Sequence, residues 1–395
     1  MTLKDPFGVV VLYNASKGLV KGEPQDMLAE RGVVACAQTI AESLQETGYR
    51  VVLVPLHGDV EVALASYPPS QWVIFNLGEG LDGRLFEEAR IAWALEAMGY
   101  CFTGSDGDAL ARSTHKAQAK GLLVSNGVPT PSWWLFRHPD EVIALADELP
   151  FPLIVKPVAE DASLGVGPDA VVHTGPALRE RVAYVVERYR QAALAEVFVV
   201  GREFNVALWG DSPQALPLAE IDFGAFSDPY CRIVSFAAKW EEASFEYSHT
   251  PVLCPAPAGN RVGRRIVDAA RRAWTAIGCR GYARVDVRLA DDGIPYVVEV
   301  NCNPDLSPEA GFYNAAKAAG YSYADMAAHI LEVAKNQSYA YDRVCFTQGQ
   351  VGYSADNGRR RHFHFCRTGL RRGTLGRVPV YGGDQRLRVP GLSRG

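Results

Sequence analysis

The 395-residue sequence has no CxxC pair, and its eight cysteines are scattered along the chain. This pattern is typical of thiols in a reducing compartment and argues against a disulfide scaffold or a zinc site. No apolar run approaches the roughly 20 residues that a membrane helix needs, and the first residues, MTLKDPFG, lack the apolar stretch of a signal peptide. We therefore expect a cytoplasmic protein without a membrane partner.

Positive charge is scarce in all but the last part of the chain. Residues 340–395 contain eleven arginines, three aspartates and neither lysine nor glutamate, whereas the whole chain has a net charge of −5. The last segment is therefore at +8 and the remainder at −13. Nucleic-acid binding needs a basic face that displaces counterions from phosphates, so the acidic remainder argues against a nucleic-acid partner.

Short apolar runs alternate with helical patterns in the first third of the chain. Residues 7–13, 50–55 and 72–77 have the composition of buried strands, and the helical patterns at 33–47 and 86–98 are each followed by a glycine. Such alternation predicts a parallel sheet covered by helices on both faces. We therefore expect an open parallel α/β domain at the N-terminus.

The pattern becomes that of antiparallel sheets after a glycine- and proline-rich turn at residues 127–131. Strand-like runs lie at residues 151–157, 195–208, 217–222, 282–289 and 294–301. The last two runs are joined by Ala-Asp-Asp-Gly, which indicates a β-hairpin. A helical pattern at 315–335 follows. This part of the chain is therefore predicted to be α+β.

The patterns divide the chain into four regions. They are an N-terminal α/β domain (1–110), a small α+β subdomain (111–200), a large α+β subdomain (201–337) and a basic tail (338–395). The tail is rich in glycine and arginine and has little periodicity. We expect it to be poorly ordered; the alternative is a basic arm for an acidic partner.

Three clusters of polar residues follow predicted strands. In the first, Lys156 leaves an apolar strand and precedes a loop, residues 160–167, that contains Ser163 and Gly165. A fixed cation and accessible backbone N–H groups are what a phosphate site requires. Many surface turns share this composition, so the first cluster is ambiguous by itself.

The second cluster consists of Glu196 and Glu203, which bracket an apolar strand. One interpretation is a pair of solvent-facing residues on a sheet. In the other, Glu196 holds ribose hydroxyls while the apolar residues flank an adenine.

The third cluster places Arg284 and Asp286 on one predicted strand, and Glu299 and Asn301 on its hairpin partner. Alternate residues of a strand share a face, so the four side chains converge if the two faces coincide. Two carboxylates and an amide oxygen suit a hard cation such as Mg²⁺, which also binds phosphate oxygens. The alternative is an exposed hairpin with a cross-strand salt bridge.

Taken in order, these motifs resemble the ATP-grasp superfamily, and within it the D-alanine:D-alanine ligase-like branch, over roughly residues 5–335. The matching segments are NLGEGLDG (76–83), FTGS (102–105), HK (115–116), GVPTP (127–131), VKP (155–157), EFNV (203–206), AKW (238–240), RVD (284–286) and EVN (299–301). The resemblance implies an ATP-grasp fold, in which two α+β subdomains behind the N-terminal domain clamp ATP.

The resemblance also implies how the triphosphate is held. Lys116 and Lys156 would bind ATP phosphates under a loop that contains Ser163 and Gly165. Lys239 would reach the γ-phosphate from a mobile segment. In this interpretation, Ser163 and Lys239 act in catalysis as well as in ATP binding.

The same resemblance also implies which residues bind the nucleoside of ATP. Glu196 would bind the ribose, with Glu203 nearby, and the backbone of Val197 and Val199 would contact the adenine.

The resemblance assigns the hairpin cluster to metal binding and catalysis. Asp286, Glu299 and Asn301 would hold two Mg²⁺ ions, with Mn²⁺ as an alternative, and Arg284 would stabilise an oxyanion.

The implied activity is that of an ATP-dependent carboxylate–amine ligase. ATP phosphorylates a carboxylate, and an amine attacks the acyl phosphate to give an amide, ADP and phosphate. This chemistry needs cations, an oxyanion donor and a lid against water, and residues 223–247 are the expected lid. Two alternatives are a genuine D-alanine:D-alanine ligase and a nucleotide-binding protein that ligates nothing.

The chain departs from the pattern of true D-alanine:D-alanine ligases at the substrate end. Those enzymes have two serines in the phosphate loop, where this chain has Ala162 and Ser163. They also have a lid tyrosine, where this chain has Trp240. We therefore expect a different carboxylate–amine pair.

The substrate residues are the least defined part of the prediction. Beyond the metal asparagine, the family's glycine and serine are replaced in the segment NPDLSPEAG (303–311). Asp305 and Ser307 in this segment are candidates to bind an amine or a hydroxyl, and Glu30 is a candidate to bind an amino group. The expected partners are small-molecule carboxylates and amines; a homodimer and an acceptor on a carrier protein are further options.

Overall fold

The computed structural model describes residues 7–15, 21–79 and 85–347, and their side chains except those of residues 29–31 and 337–347. The predicted tail beyond residue 347 and the end of the NLGEGLDG motif lie outside the described residues. Within the described ranges, no helix is long and apolar enough to cross a membrane.

The first sheet is parallel, with strand order β2-β1-β3. Its strands and the helices of this part of the chain are β1 (Gly8–Asn14), β2 (Arg50–Leu56), β3 (Trp72–Leu77), α1 (Met27–Glu46), α2 (Val60–Leu64), α3 (Glu87–Ala97), α4 (Gly107–Thr114) and α5 (Lys116–Ser125). Every residue of β3 is buried, as expected of a strand covered on both faces. The predicted parallel α/β arrangement is confirmed, although α1 begins before the predicted start at residue 33.

The second sheet is antiparallel, with strand order β4-β7-β5-β6. Its elements are β4 (Trp133–Phe136), β5 (Leu153–Pro157), β6 (Val171–Val172), β7 (Ala193–Val197) and α6 (Gly175–Tyr189). Sequence analysis did not identify α6, which Thr174 caps by accepting a hydrogen bond from the Ala177 N–H. The run predicted at 195–208 spans two strands, because the chain leaves this sheet after β7.

The third sheet has strand order β11-β10-β8-β12-β13, with β9 paired to β8. Its strands and the helices that follow in the chain are β8 (Gly201–Trp209), β9 (Gln214–Ala215), β10 (Ala219–Ile221), β11 (Val252–Leu253), β12 (Tyr282–Ala290), β13 (Pro295–Asn301), α7 (Phe236–Trp240), α8 (Phe245–Ser248), α9 (Asn260–Ile277), α10 (Gly311–Ala318) and α11 (Tyr323–Thr347). Strands β12 and β13 form the predicted antiparallel hairpin.

The last helical region differs from the prediction. The pattern at 315–335 covers parts of two helices, α10 and α11, which are separated at Gly320. Gly320 has φ +92°, a left-handed conformation that favours glycine and ends α10. Helix α11 continues past residue 338, where the sequence predicted the start of the tail.

Packing behind the third sheet determines which face of β12 carries polar residues. Helix α9, which sequence analysis also missed, buries Ile266, Ala270 and Trp274 at four-residue spacing. These residues belong to the same buried cluster as Val285 and Val287 of β12. Because side chains alternate along a strand, the polar residues between the valines face the opposite side.

Candidate active site

A cavity of about 1070 Å³ brings together residues from all three sheets. The predicted site residues that line it are Lys116, Lys156, Ser163, Glu196, Val197, Val199, Glu203, Lys239, Arg284, Asp286, Glu299, Asn301, Asp305 and Ser307. Gly165 is not a lining residue; a Cβ at this position would come within 2.8 Å of Pro157. The side chain of Glu30 lies outside the described residues.

The four polar residues of the β12–β13 hairpin share one face. Arg284 is directly opposite Asn301, and Asp286 is directly opposite Glu299. Residues paired in this way point to the same side of an antiparallel sheet. The two faces therefore coincide, and they open into the cavity.

Asp286 is the most heavily hydrogen-bonded residue of this face. Its Oδ1 accepts from Arg284 Nε at 2.7 Å and Asn205 Nδ2 at 2.8 Å. Its Oδ2 accepts from Arg284 Nη2 at 2.8 Å and Asn301 Nδ2 at 3.1 Å. A carboxylate has about four acceptor positions, so one donor must release Asp286 before it can ligate a cation.

The donor set fits Mg²⁺ better than a softer metal. It consists of the carboxylates of Asp286 and Glu299 and the amide oxygen of Asn301, all hard oxygen ligands. The part of the chain that the structure describes holds no group of three His, Cys, Asp or Glu residues suited to a metal. The remaining ligands would therefore be water and phosphate oxygens, as is usual for Mg²⁺.

Lys116 connects the hairpin to the phosphate loop. Its Nζ lies 2.7 Å from Glu299 Oε1 and 3.3 Å from Asp161 Oδ1. Burial lowers the pKa of Lys116, but the charges of Glu299 and Asp161 outweigh it and raise that pKa above its ordinary value. Burial raises the pKa of Glu299, but Lys116 and Lys156 bring it down to about 2. Lys116 and Glu299 are therefore both charged at neutral pH.

Glu196 is shared between two lysines. Lys156 Nζ lies 2.7 Å from its Oε1, and Lys120 Nζ lies 2.6 Å from its Oε2. Glu196 is 2% exposed and Lys120 is 1% exposed. Burial opposes ionisation of Glu196, but the two ammonium groups lower its pKa below the ordinary value. Both carboxylate oxygens are thus occupied by lysines, and Lys156 is held at the cavity wall.

Glu203 is held by an arginine that sequence analysis missed. Arg288 is the residue opposite Glu203 on the neighbouring strand, and its Nε and Nη2 donate to Glu203 Oε2 at 3.0 and 2.7 Å. Arg288 Nη1 also donates to the Val199 carbonyl at 3.0 Å. The Val197 N–H, in turn, donates to the Ser132 carbonyl, so it is not available to an adenine.

The loop of residues 160–167, here called the phosphate loop, contacts the predicted lid, residues 223–247. Ser163 Oγ donates to the Val234 carbonyl at 2.8 Å, and the Phe236 N–H donates to the Val166 carbonyl at 2.9 Å. Trp240 Nε1 donates to the Ala162 carbonyl at 3.1 Å. Both residues that depart from the family pattern, Ala162 and Trp240, thus meet in this contact.

Lys239 projects into the cavity from α7. Burial and the nearby charge of Arg284 lower its pKa below the ordinary value. Within the described ranges, it makes no hydrogen bond or ion pair, unlike Lys116 and Lys156. Lys239 is therefore the lysine of this site that is most readily directed to an incoming anion.

The segment predicted to bind the substrates follows β13 and lines another part of the cavity. Asp305 accepts hydrogen bonds from the Ser307 N–H at 2.8 Å and from Ser307 Oγ at 3.0 Å, which closes a tight turn. Glu88 lies in the same wall, and its burial, together with the charges of Asp161 and Glu79, raises its pKa well above the ordinary value. This part of the cavity is acidic and carries few internal ion pairs among the described residues.

Three residues of the site had no predicted role, although spacing along an element could have indicated Lys120 and Arg288, and strand pairing could have indicated Asn205. Lys120 follows Lys116 by four residues on α5, so both occupy one face of the helix. Arg288 follows Asp286 by two residues on β12 and shares its face. Asn205 is the residue opposite Asp286 on β8.

Comparison with known sequences identifies relatives of this chain. Residues 122–332 match the family described as D-ala D-ala ligase C-terminus. The D-alanine–D-alanine ligase of Desulforudis audaxviator is 30% identical over 317 residues, which cover 78% of this chain and 96% of that enzyme. An uncharacterized protein of Sinorhizobium fredii, y4sG, is 32% identical over 310 residues, which cover 77% of this chain and 88% of that protein.

Comparison with solved structures shows the same fold. The crystal structure of a D-alanine–D-alanine ligase from Bacillus anthracis complexed with ATP matches with a TM-score of 0.65 at 21% identity, over 86% of this chain and 100% of that one. A second crystal structure of the Bacillus anthracis ligase matches with a TM-score of 0.64 at 20% identity, over 85% and 99%. The predicted ATP-grasp fold is thereby confirmed.

Proposed function

The chain belongs to the D-alanine–D-alanine ligase family and is an ATP-dependent carboxylate–amine ligase, and we propose that it joins an amino acid or related small carboxylate to an amine, in a pair other than two D-alanines. Its substrates are small molecules. The observation that carries the proposed use of the cavity is the convergence of Lys116, Lys156, Lys239 and Arg284 on the two hairpin carboxylates. The departures at Ala162, Trp240 and the Asp305 turn support the different substrate.

The cations account for phosphoryl transfer. Lys116 and Lys156 would hold the phosphates of ATP, and Lys239, which has no internal ion partner among the described residues, would follow the γ-phosphoryl group onto the substrate carboxylate. Fixed positive charge stabilises the negative charge of that transition state. Arg284 would then stabilise the oxyanion formed when the amine attacks the acyl phosphate.

Asp286, Glu299 and Asn301 would hold magnesium. Two Mg²⁺ ions would neutralise phosphate charge and orient the transferred group; Mn²⁺, with the same preference for oxygen, would be an alternative. Of the two carboxylates, Glu299 is the more readily available, because only its Oε1 has an ion partner among the described residues, whereas both oxygens of Asp286 accept hydrogen bonds. Binding through Asp286 requires Arg284 or an asparagine to move.

The geometry favours Glu203 over Glu196 for the ribose. Both oxygens of Glu196 contact lysines, whereas both Arg288 bonds end on Oε2 of Glu203 and leave Oε1 for a hydroxyl. The adenine would contact the Val199 N–H, since the Val197 N–H is already bonded to Ser132. Glu196 would instead position Lys156.

The contact between the phosphate loop and residues 223–247 supports their role as a lid. Ser163 would act by holding the Val234 backbone over the phosphates. Gly165 would act through backbone conformation, because its left-handed φ of +71° and its approach to Pro157 leave no room for a side chain. A closed lid excludes water, which would hydrolyse an acyl phosphate.

The function is tested by measuring phosphate release from Mg-ATP with pools of D- and L-amino acids and other amines, followed by single pairs and mass analysis of the product. Turnover with a pair other than two D-alanines is the expected result. Turnover with D-alanine alone would identify a D-alanine–D-alanine ligase and refute the proposed difference in substrate.

A cytoplasmic location, a homodimer and a carrier-bound acceptor remain predictions. The six cysteines whose side chains the structure describes are free thiols, which supports a reducing compartment. Gel filtration tests the dimer, and small free amines that act as acceptors would make a carrier unnecessary.

A further inference from the structure

We propose that Arg288 is a positioning residue that couples nucleotide binding to closure of the lid. The inference rests on the proposed lid and on the proposed nucleotide contacts of Val199 and Glu203. It adds a function for a residue whose hydrogen bonds, among the described residues, go to none of the proposed metal ligands or phosphate-binding lysines.

The guanidinium of Arg288 joins three separate segments of the chain. Nε and Nη2 donate to Glu203 on β8 at 3.0 and 2.7 Å, and Nη1 donates to the carbonyl of Val199 at 3.0 Å. Nη2 also donates to the carbonyl of Arg232, which lies in the lid. One rigid planar group thus contacts both proposed nucleotide residues and the lid backbone.

The surroundings of Arg288 keep its guanidinium in this position. The residue is 5% exposed. Its guanidinium carbon lies 4.9 Å from the centroid of the Phe198 ring and 5.8 Å from that of the Phe223 ring. Phe198 adjoins the nucleotide segment, and Phe223 begins the lid. Aromatic faces attract the cation and restrict its movement.

The bond to Arg232 lies close to the lid's contact with the phosphate loop. Two residues further along, the Val234 carbonyl accepts from Ser163 Oγ at 2.8 Å. The next residue, Ser235, caps α7 by accepting from the Ala238 N–H, and α7 carries Lys239. A nucleotide that fixes Val199 and Glu203 therefore also fixes the start of the segment that presents Lys239.

Removal of the Arg288 side chain should weaken both ATP binding and closure of the lid. In Arg288→Met, we expect the KM for ATP to rise about tenfold, as for the loss of hydrogen bonds to a charged group. We also expect more than one phosphate released per amide formed, because a loosely held lid admits water to the acyl phosphate. Arg288→Lys, which keeps the charge without the planar fork, should lie between Met and wild type.

Arg202→Met is the matched control. Arg202 is also an arginine of the third sheet with a two-pronged bond to a glutamate, at 2.6 Å from both Glu220 oxygens. Its other hydrogen bond goes to Pro257, outside the lid. This variant also removes a two-pronged arginine–glutamate pair, although a more exposed one, and should leave the ratio of phosphate to amide at one.

The decisive measurement is proteolysis of residues 223–247 in the full chain, with and without a saturating non-hydrolysable ATP analogue. The analogue should protect the lid in wild type and Arg202→Met, and protect it much less in Arg288→Met. Analogue binding is titrated separately, so a failure of wild type to bind would count against the proposed nucleotide site and not against the coupling.

Two results would overturn the proposal. One is full protection of the lid in Arg288→Met at a saturating analogue concentration. The other is a phosphate-to-amide ratio of one in that variant. If the Met variant does not fold, as judged by circular dichroism, the same two readouts on Arg288→Lys decide the matter, since wild-type values there would equally refute the coupling.

Discussion

The two ends of the cavity are built in different ways. At the proposed nucleotide and metal end, Glu196 is paired with Lys120 and Lys156, and Glu299 is paired with Lys116. At the proposed substrate end, Asp305 is exposed and bonded mainly within its own turn. The first arrangement resists change because buried charges are costly to leave unpaired. The second can change by single substitutions.

The largest effect should come from removing a proposed metal ligand. We expect Asp286→Ala or Glu299→Ala to lower kcat at least about 1000-fold, because magnesium-assisted charge stabilisation is lost. Steady-state phosphate release checks this. Asp291→Ala, in the turn of the same hairpin, is the control and should be fully active; full activity in either ligand variant would contradict the metal assignment.

Next in size is the proposed oxyanion donor. Arg284→Met should lower kcat about 100- to 1000-fold, the range for loss of one such donor. Substrate KM values should change less. Arg284 also donates hydrogen bonds to Asp286 at 2.7 and 2.8 Å. The melting temperature of the variant should therefore be measured together with its kinetics, to show that the variant is folded. An unchanged kcat in a folded variant would argue against this role.

Lys120 does not line the cavity, but it is paired with Glu196 at the proposed nucleotide end. Breaking a buried pair leaves Glu196 undercompensated, so Lys120→Met should lower the free energy of unfolding by about 3 kcal/mol. The KM for ATP should rise more than kcat falls, because Glu196, the ion partner of Lys156, loses one of the two ammonium groups that hold it in place. Urea unfolding measures the change in free energy, and steady-state kinetics measure the KM for ATP. Lys317→Met, at an exposed position, is the control. If neither the free energy of unfolding nor the KM for ATP changed, the proposed role of Lys120 would be wrong.

Substitutions at the proposed substrate end should change the KM of the acid or amine substrate and leave the KM for ATP unchanged. Ser307→Ala removes one hydroxyl bond to Asp305 and should change the KM of the acid or amine substrate about 2- to 10-fold, while the KM for ATP stays at the wild-type value. Kinetics with each substrate varied in turn provide the measurement. A change confined to ATP would show that the two ends are not separate.

A further prediction concerns the pH dependence of stability. The pKa of Glu299 falls from an ordinary 4.5 to about 2 on folding, so its ion pair contributes stability that is complete above pH 4.5 and disappears as the pH falls towards 2. The difference in unfolding free energy between wild type and Glu299→Gln should therefore be largest at neutral pH and shrink on acidification. A difference that increases on acidification would contradict the lowered pKa.

Much of the fold follows from local pattern. The period-2 runs and the Asp-Gly turn predicted β12 and β13, and strand–helix alternation predicted the first sheet. The helices α6 and α9 were missed because they lie between recognisable strands and carry many charged residues. The break at Gly320 was missed because apolar positions on both sides continue a helical spacing.

The sequence by itself determined the chemistry that is available: two carboxylates and an amide on a hairpin, and lysines at strand and helix ends. These follow from short-range spacing, which covalent geometry enforces. Only the tertiary structure decided which charges meet. That Glu196 faces two lysines, and that Arg288 reaches Glu203, Val199 and Arg232, depends on how separate strands and loops are packed together. Such pairings are set by burial and register across the whole core, and no local pattern encodes them.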